Sequence, residues 1–262
     1  MSAQLLAAGP GFEPPGTNDF DFEPIFGHGT FFTKPMLIVV LGTIAVGAFF
    51  YLAARNPKLV PGKMQYAGEQ VYGYIRNSVV LDSIGTKFGP AFVPYIVTMF
   101  SFILMLNIAG IIPVLQFPAT SKIAIPLFLA LISWVIYNAV GIRRQGFLGY
   151  FKNMCFPPGL PWPIYFLLAP LEFFSTFIVR PITLCLRLTM NMFAGHLVLL
   201  LCIVGGHYML TEGTGALPFL SPIGFLGGIV LTFFEGFVQI LQAYVFALLS
   251  AIYIAGALEA EH

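Results

Sequence analysis

Charged residues are scarce in this chain of 262 residues. Lys, Arg, Asp and Glu together make up 9% of the sequence, whereas a soluble globular domain usually has about 25%. Hydrophobic residues make up 58%, and the mean hydropathy is +0.88. The composition therefore indicates an integral membrane protein, with the lipid bilayer as its surroundings. The net charge is +1 and no long basic run is present, so no nucleic-acid partner is expected.

Cysteines are also few, and they are widely spaced. The chain has Cys155, Cys185 and Cys202, without a CxxC pair and without a histidine at ligand spacing. Zinc sites and disulfide frameworks need closer or paired ligands. We therefore expect small apolar fillers here, and neither a metal site nor a cofactor.

Long apolar runs dominate the rest of the sequence and predict an all-α membrane protein with five membrane-crossing helices. A span needs about 20 apolar residues. The predicted crossings are residues 36–54, 90–112, 121–142, 162–207 and 217–257. A mixed polar and apolar stretch at 64–82 predicts one amphipathic helix on the membrane surface. Residues 1–35 and 258–262 are predicted tails.

The last two apolar segments are too long for an upright crossing. Residues 162–207 would extend about 70 Å as a helix and residues 217–257 about 60 Å, while the hydrocarbon core is only about 30 Å thick. The second segment has no proline after Pro222 at which to fold back. We therefore predict two strongly tilted helices, lying against a curved protein partner.

Positive charge predicts the orientation of the chain. Loops 54–88 and 143–161 carry five and three basic residues, respectively, whereas the connections on the other side carry one or none. Basic loops stay in the cytoplasm. With five crossings, the N-terminus is then predicted outside and the C-terminus inside the cell.

Five ionisable groups lie within the two long segments. They are Glu172, Arg180, Arg187, His196 and Glu235. A charge at the bilayer centre costs between about 3 and about 15 kcal/mol, so a chain that keeps Arg187 there is expected to use it. Helical spacing predicts one polar stripe on each segment. The first contains Arg180, Thr183, Arg187, Asn191 and Gly195, and the second contains Thr232, Glu235, Gln239 and Gln242.

These residue types suit the transfer of protons. Histidine exchanges protons near neutral pH, so His196 and Glu235 can exchange them with a water-filled cleft. Arg187 cannot deprotonate, and its role must be electrostatic. Two structural alternatives stay open. Arg187 could form an ion pair within the chain, with Glu172 or Glu235, and Arg180 could extend its guanidinium group to the inner membrane interface. Asn107 is expected to form a hydrogen-bonded helix contact.

Two motifs resemble the signature of subunit a of the rotary F-type ATP synthase. They are Arg187-Leu-Thr-Met-Asn-Met-Phe-Ala-Gly-His196 and Glu235-Gly-Phe-Val-Gln-Ile-Leu-Gln242-Ala-Tyr-Val-Phe. The segment from Asn107 to Pro113 and the Pro118-Ala-Thr-Ser121 run are weaker matches. Thr189-Met190 departs from the usual Phe-Gly, and Lys122 stands where many members have an acid.

The resemblance implies a non-catalytic stator subunit of the Fo sector in the bacterial plasma membrane. Its partners would be the c-subunit ring, the b-type peripheral stalk and the whole FoF1 complex. Arg187 would be the essential arginine facing the c-ring, and Gln242 its partner. Glu235 and His196 would hold the family's acid and histidine positions, and Glu172 would match an acid near the inner half-channel. Asn191, Gln239, Arg180 and Asn107 would be supporting polar residues.

Two other classes of function are disfavoured by what the sequence lacks. A secondary transporter with its own substrate site is expected to show inverted repeats and interrupted helices, and no internal repeat is present. A membrane-embedded metallohydrolase is expected to carry paired ligands such as HExxH, and none occurs. No Walker-type phosphate loop is present either.

Overall fold

The computed structural model describes residues 16, 33–55, 57–112, 118–155, 162–211 and 217–259. The predicted tails, 1–35 and 258–262, therefore fall largely outside the described residues. Where the chain is described, it is helical and contains five helices that are long and apolar enough to cross a membrane. This confirms the predicted fold class, and the last two helices are the longest, as predicted.

The helices are numbered in chain order. The first six are α1 (Lys34–Ala54), α2 (Lys63–Ile75), α3 (Asp82–Ile84), α4 (Gly89–Ile108), α5 (Ala124–Gln145) and α6 (Phe147–Cys155). The last three are α7 (Trp162–Phe174), α8 (Arg180–Thr211) and α9 (Ser221–Glu259). A π-helical segment, Arg76–Leu81, joins α2 to α3, and a second one, Ser175–Val179, joins α7 to α8.

The predicted surface helix at 64–82 corresponds to α2 and the π-helical segment after it. Its apolar positions divide into two groups. Ile75 and Val79 are fully buried against the main core, whereas Tyr66 and Tyr74 are more than half exposed. The buried face ties this segment to the membrane helices.

The second and third crossings are displaced from their predicted bounds. Helix α4 ends at Ile108, four residues early, because Gly110 N donates to Asn107 O at 2.9 Å in a turn before Pro113. Helix α5 begins at Ala124, because residues Ala119–Ser121 form a separate 3₁₀ turn. It continues through two arginines to Gly146, whose φ of +73° ends the helix. Basic residues favour the last turn of a helix, since they oppose its dipole.

The two long segments form nearly continuous helical rods. The first runs from Trp162 through the π-helical segment to Thr211, four residues beyond the predicted end. The second begins with a 3₁₀ turn at Leu217–Leu220 and continues as α9 to Glu259. Both rods exceed the length of an upright crossing, and their tilt remains a prediction.

Small residues let the helices approach closely around α9. Ala243, Ala247 and Ala251 are each fully buried, and they lie in one cluster with residues of α4, α5 and α8. Membrane helices associate through such close backbone contact, because lipid supplies no hydrophobic driving force. At the far end of the same pair, Gly206 of α8 meets Gly224 of α9. This close pairing fixes the two polar stripes relative to each other.

Candidate functional site

Arg187 lies on an exposed face of α8, well inside the helix. Within the described residues it makes no hydrogen bond or ion pair. The alternative reading of an ion pair with Glu172 or Glu235 therefore finds no support in the structure. One turn before it, the Thr183 hydroxyl donates to the backbone oxygen of Val179, in the preceding helical turn, at 2.8 Å. Arg187 is thus the charged group of the stripe that points outward.

Apolar side chains are exposed beside Arg187 on α8. They are Ile182 (46%), Leu186 (38%) and Met190 (54%). We call these residues, together with Arg187, the Arg187 face. A permanent cation in such a face is costly against lipid.

Behind this face, α9 carries a buried row of polar side chains. Glu235, Gln239 and Gln242 are exposed by 5%, 0% and 4%. Gln239 Nε2 donates to Glu235 Oε1 at 3.5 Å. Asn191 Nδ2 of α8 donates to Gln242 Oε1 at 2.9 Å. This last bond joins the two predicted stripes directly, one turn beyond Arg187.

Glu235 packs against α8 where that helix has no side chain. A Cβ atom built on Gly195 would lie 3.7 Å from Glu235 Cγ and 3.8 Å from its Oε1. The next residue, His196, is buried, with 6% exposure. Glycine at 195 therefore brings the carboxyl group close to the α8 backbone.

Asn107 links α4 to this row of polar residues. Its Nδ2 donates to the backbone oxygen of Gln239 at 3.3 Å, and its Oδ1 accepts from Thr120 Oγ1 at 2.6 Å. Asn107 and Thr120 are both fully buried. The predicted helix contact of Asn107 is confirmed, and it holds the backbone of α9 beside Glu235.

Arg180 lies over an aromatic ring. Its guanidinium carbon is 5.2 Å from the centroid of Tyr253 on α9, which is within cation–π range. Tyr137 packs edge-on against Tyr253 and donates its hydroxyl to Thr176 O, in the π-helical segment. Arg180 is half-buried in this contact.

Glu172 lies apart from the other predicted site residues. It is half-buried on α7 and makes no hydrogen bond or ion pair with a described residue. Fifteen residues separate it from Arg187, which is about 22 Å along a helix. The structure therefore brings together Asn191, Gln242, Gln239 and Glu235, and it leaves Glu172 at a distance.

Among the described residues, no group of three His, Cys, Asp or Glu side chains is arranged to hold a metal ion. Cys185 is buried and Cys202 is half-buried. Cys185 Sγ lies 3.8 Å from Ile123 O, which fits the role of a small side chain packed between helices.

Comparison with known proteins agrees with this geometry. The family described as the ATP synthase A chain matches residues 36–255. A protein named ATP synthase subunit a from Nocardioides sp. is 48% identical over 272 residues, covering 100% of this chain and 98% of its own length. The Streptomyces lividans subunit a is 44% identical over 257 residues, covering 97% of this chain and 90% of its own length.

The chain belongs to the ATP synthase subunit a family. Subunit a is the non-catalytic, proton-translocating stator subunit of the Fo sector, and a multi-pass membrane protein. The resemblance noted from the two motifs is therefore confirmed, as is the function that it implied.

Two residues in contact with this site were not identified from the sequence. Thr120 and Tyr253 both contact a predicted site residue, Asn107 and Arg180 respectively. Thr120 could have been found as a polar residue in the short Pro118–Ser121 motif between two apolar spans. Tyr253 carries no such signal, because its contact depends on the rotation of α9 relative to α8.

Proposed function

We propose that Arg187 faces a carboxylate of the c-subunit ring, and that protons reach this carboxylate from two separate half-channels. The observation that carries the proposal is the placement of Arg187: an exposed cation, without an anionic partner among the described residues, beside exposed apolar side chains of the same helix. A surface of this kind is costly against lipid. A rotor that presents carboxylates to it would satisfy the charge and cover the apolar neighbours.

Glu235 and His196 are the residues we assign to the outer half-channel. A proton from outside passes by these two groups and neutralises the rotor carboxylate. The neutral carboxyl group then enters lipid cheaply, whereas the ionised form cannot. Burial of both side chains supports this assignment, since it keeps them away from lipid.

Gln239 is suited to partner Glu235 in both of its protonation states. Its Nε2 points at Glu235 Oε1, and its buried Oε1 accepts no hydrogen bond from a described residue. Amide orientation is assigned from hydrogen-bonding context. The amide donates to the carboxylate as it stands, and after rotation its oxygen would accept from the protonated carboxyl group.

Glu172 is the group we assign to the inner half-channel. After nearly a full turn of the ring, the rotor carboxyl group loses its proton there, and Arg187 stabilises the resulting anion. The distance of about 22 Å between Glu172 and Arg187 along the helix supports two separate half-channels. Because Arg187 cannot release a proton, it also blocks direct flow between them.

We place the N-terminus outside and the C-terminus in the cytoplasm of a bacterial plasma membrane, from the distribution of basic loops. The c-ring would contact the Arg187 face, and the b-type stalk subunits and the rest of FoF1 complete the assembly. Membrane potential supplies about 2.3 kcal/mol per charge per 100 mV. Several protons are therefore needed for each ATP.

Proton pumping in inverted membrane vesicles tests this proposal. Arg187→Ala should abolish ATP-driven acidification, while the amount of assembled complex stays normal. Arg76→Ala is the matched control, because Arg76 is equally an exposed arginine but lies outside the long helices, and it should pump normally. Pumping by Arg187→Ala at the rate of the control would refute the proposed role.

A further inference from the structure

The π-helical segment Ser175–Val179 leaves one backbone carbonyl group without a backbone donor. Arg180 N donates to Ser175 O, five residues before it. In an α-helix the same N–H group would donate to Thr176 O, four residues before it. Five residues after Thr176 comes Pro181, which has no N–H group. Thr176 O therefore receives a hydrogen bond neither from the α-helical donor position nor from the π-helical one.

A tyrosine of α5 supplies the missing donor. The Tyr137 hydroxyl donates to Thr176 O at 2.7 Å. Tyr137 and Thr176 are exposed by only 1% and 2%, and a buried carbonyl group without a partner costs free energy comparable to a lost hydrogen bond. In the α-helical form, Arg180 N–H would satisfy Thr176 O without any side chain. The tyrosine hydroxyl therefore stabilises the π-helical form specifically.

Aromatic packing holds the Tyr137 ring in place independently of its hydroxyl. The ring packs edge-on against Tyr253 of α9, with the two centroids 5.8 Å apart. Tyr253 in turn lies 5.2 Å from the guanidinium carbon of Arg180. Three residues before Tyr137 on α5, Trp134 packs edge-on against Phe177 of the π-helical segment, at 5.9 Å. Removal of the hydroxyl alone therefore leaves these ring contacts available.

The π-helical turn sets the rotation of α7 relative to α8. An i→i+5 hydrogen bond encloses one residue more than an i→i+4 bond, and each residue of an α-helix turns the chain by about 100°. Loss of the π-helical turn would therefore rotate Glu172 by about 100° around the helix axis relative to Arg187. A side-chain tip about 5 to 6 Å from that axis would move by about 8 Å.

We propose that Tyr137 is a positioning residue for proton transfer. Its hydroxyl stabilises the π-helical turn, and this turn fixes the direction in which Glu172 points relative to Arg187. Tyr137 itself transfers no proton in this scheme. The geometric role rests on the hydrogen bonds at Thr176, whereas the consequence for proton release rests on the proposed function of Glu172.

Distances between spin labels in the intact complex test the geometric role. Native cysteines are replaced, and one label is attached at Leu171→Cys on α7. The second label is attached at Leu131→Cys on α5 or, in a separate sample, at Ile252→Cys on α9. These three positions are exposed by 58%, 51% and 45%, so each can carry a label. Electron paramagnetic resonance then gives two distances that report the rotation of α7.

The substitution that tests the inference is Tyr137→Phe, which removes one oxygen atom. We expect Arg180 N–H to return to Thr176 O, and at least one of the two distances to change by several ångströms. Tyr95→Phe is the matched control. The Tyr95 hydroxyl lies 2.7 Å from Ser133 Oγ, so this variant loses a hydrogen bond of the same length away from the π-helical segment. Its two distances should stay at the wild-type values.

Proton pumping in inverted vesicles separates this inference from the proposed function. Tyr137→Phe should slow ATP-driven pumping about tenfold at normal c-ring content, because proton transfer needs groups within hydrogen-bond reach. Tyr95→Phe should pump normally. Unchanged distances in Tyr137→Phe, or equal changes in both variants, would overturn the inference. Changed distances with normal pumping would support the effect of Tyr137 on the geometry and count against the assignment of Glu172 to the inner half-channel.

Discussion

The contact between Gly206 and Gly224 predicts a large effect from the addition of one methyl group. A Cβ atom on Gly224 would lie 2.9 Å from Gly206 Cα, 3.3 Å from Gly206 N and 3.4 Å from Cys202 O. These are backbone atoms, so no side chain can rotate away. Ordinary carbon–carbon contact lies at about 3.5 to 4.0 Å. Gly224→Ala must therefore separate α8 and α9 by about 0.6 to 1 Å at this point.

Such a separation has a cost that can be estimated. Adding a methylene group to a well-packed interface costs about 1 to 3 kcal/mol. The shift also lengthens the hydrogen bond from Ser221 Oγ to Gly206 O, which is 2.8 Å. Glu235 lies eleven residues along α9, about 16 Å away. We expect lower stability of the assembled subunit and slower proton transport, because the two helices that enclose Glu235 pack less closely at this end.

The assay compares two glycine variants in the purified complex. Gly205→Ala is the matched control, since a Cβ atom there meets nothing within 4 Å. After heating of the detergent-solubilised complex, the remaining intact subunit and the rate of proton pumping are measured. Gly224→Ala should lose both at a lower temperature than wild type, and Gly205→Ala should not. Equal behaviour of the two variants would refute the argument from close helix contact.

Three further substitutions test the polar row behind the Arg187 face. Glu235→Gln should slow proton transport about tenfold, or about 1.4 kcal/mol of barrier, with normal assembly, because glutamine keeps the size but cannot transfer the proton. Gln242→Ala should slow it only about threefold, since an interhelical hydrogen bond in a membrane is worth about 0.6 kcal/mol; it should be milder than Arg187→Ala. Asn107→Ala should lower the stability of the complex by about 1 to 3 kcal/mol, because it leaves the Thr120 hydroxyl without its acceptor.

Each of these substitutions has an exposed counterpart on α2 or on the π-helical segment that follows it. Glu69→Gln, Gln70→Ala and Asn77→Ala change the same residue types at exposed positions and should leave transport and stability unchanged. If Glu235→Gln lowers the c-ring content of the complex as much as it lowers transport, Glu235 has a structural role and does not transfer protons. A Gln242→Ala defect as severe as that of Arg187→Ala would count against their assigned roles. A fully stable Asn107→Ala would show that its hydrogen bonds contribute little.

The sequence predicts the number and order of the membrane helices because apolar length is a strong local signal. It also predicts the polar stripe from Arg180 to Asn191, since α8 is regular over that range. The same helical periodicity does not hold for residues before Arg180, because α8 begins there. The π-helical segment Ser175–Val179 changes the angular relation between Glu172 and Arg180. No residue type in this segment predicts a π-helix.

Contacts between helices are the part that the sequence leaves open. Asn191 belongs to the outward stripe by spacing, yet its side chain donates to Gln242 on α9. Arg180 lies over Tyr253 for a similar reason. Both contacts depend on how α8 and α9 rotate against each other. That rotation is set by small residues such as Gly195 and Gly206, whose effect appears only when the two backbones are placed together.

Cysteine cross-linking tests the central claim most directly, namely that the Arg187 face contacts the rotor. Native cysteines are replaced, and Met190→Cys, one turn from Arg187, is paired with a cysteine beside the carboxylate of the c subunit. Leu131→Cys is the control, because Leu131 is 51% exposed on α5, close to the 54% of Met190. The account predicts oxidative cross-links to the c subunit from position 190 and none from position 131. The reverse pattern, or no cross-link from position 190 in an assembled complex, would contradict it.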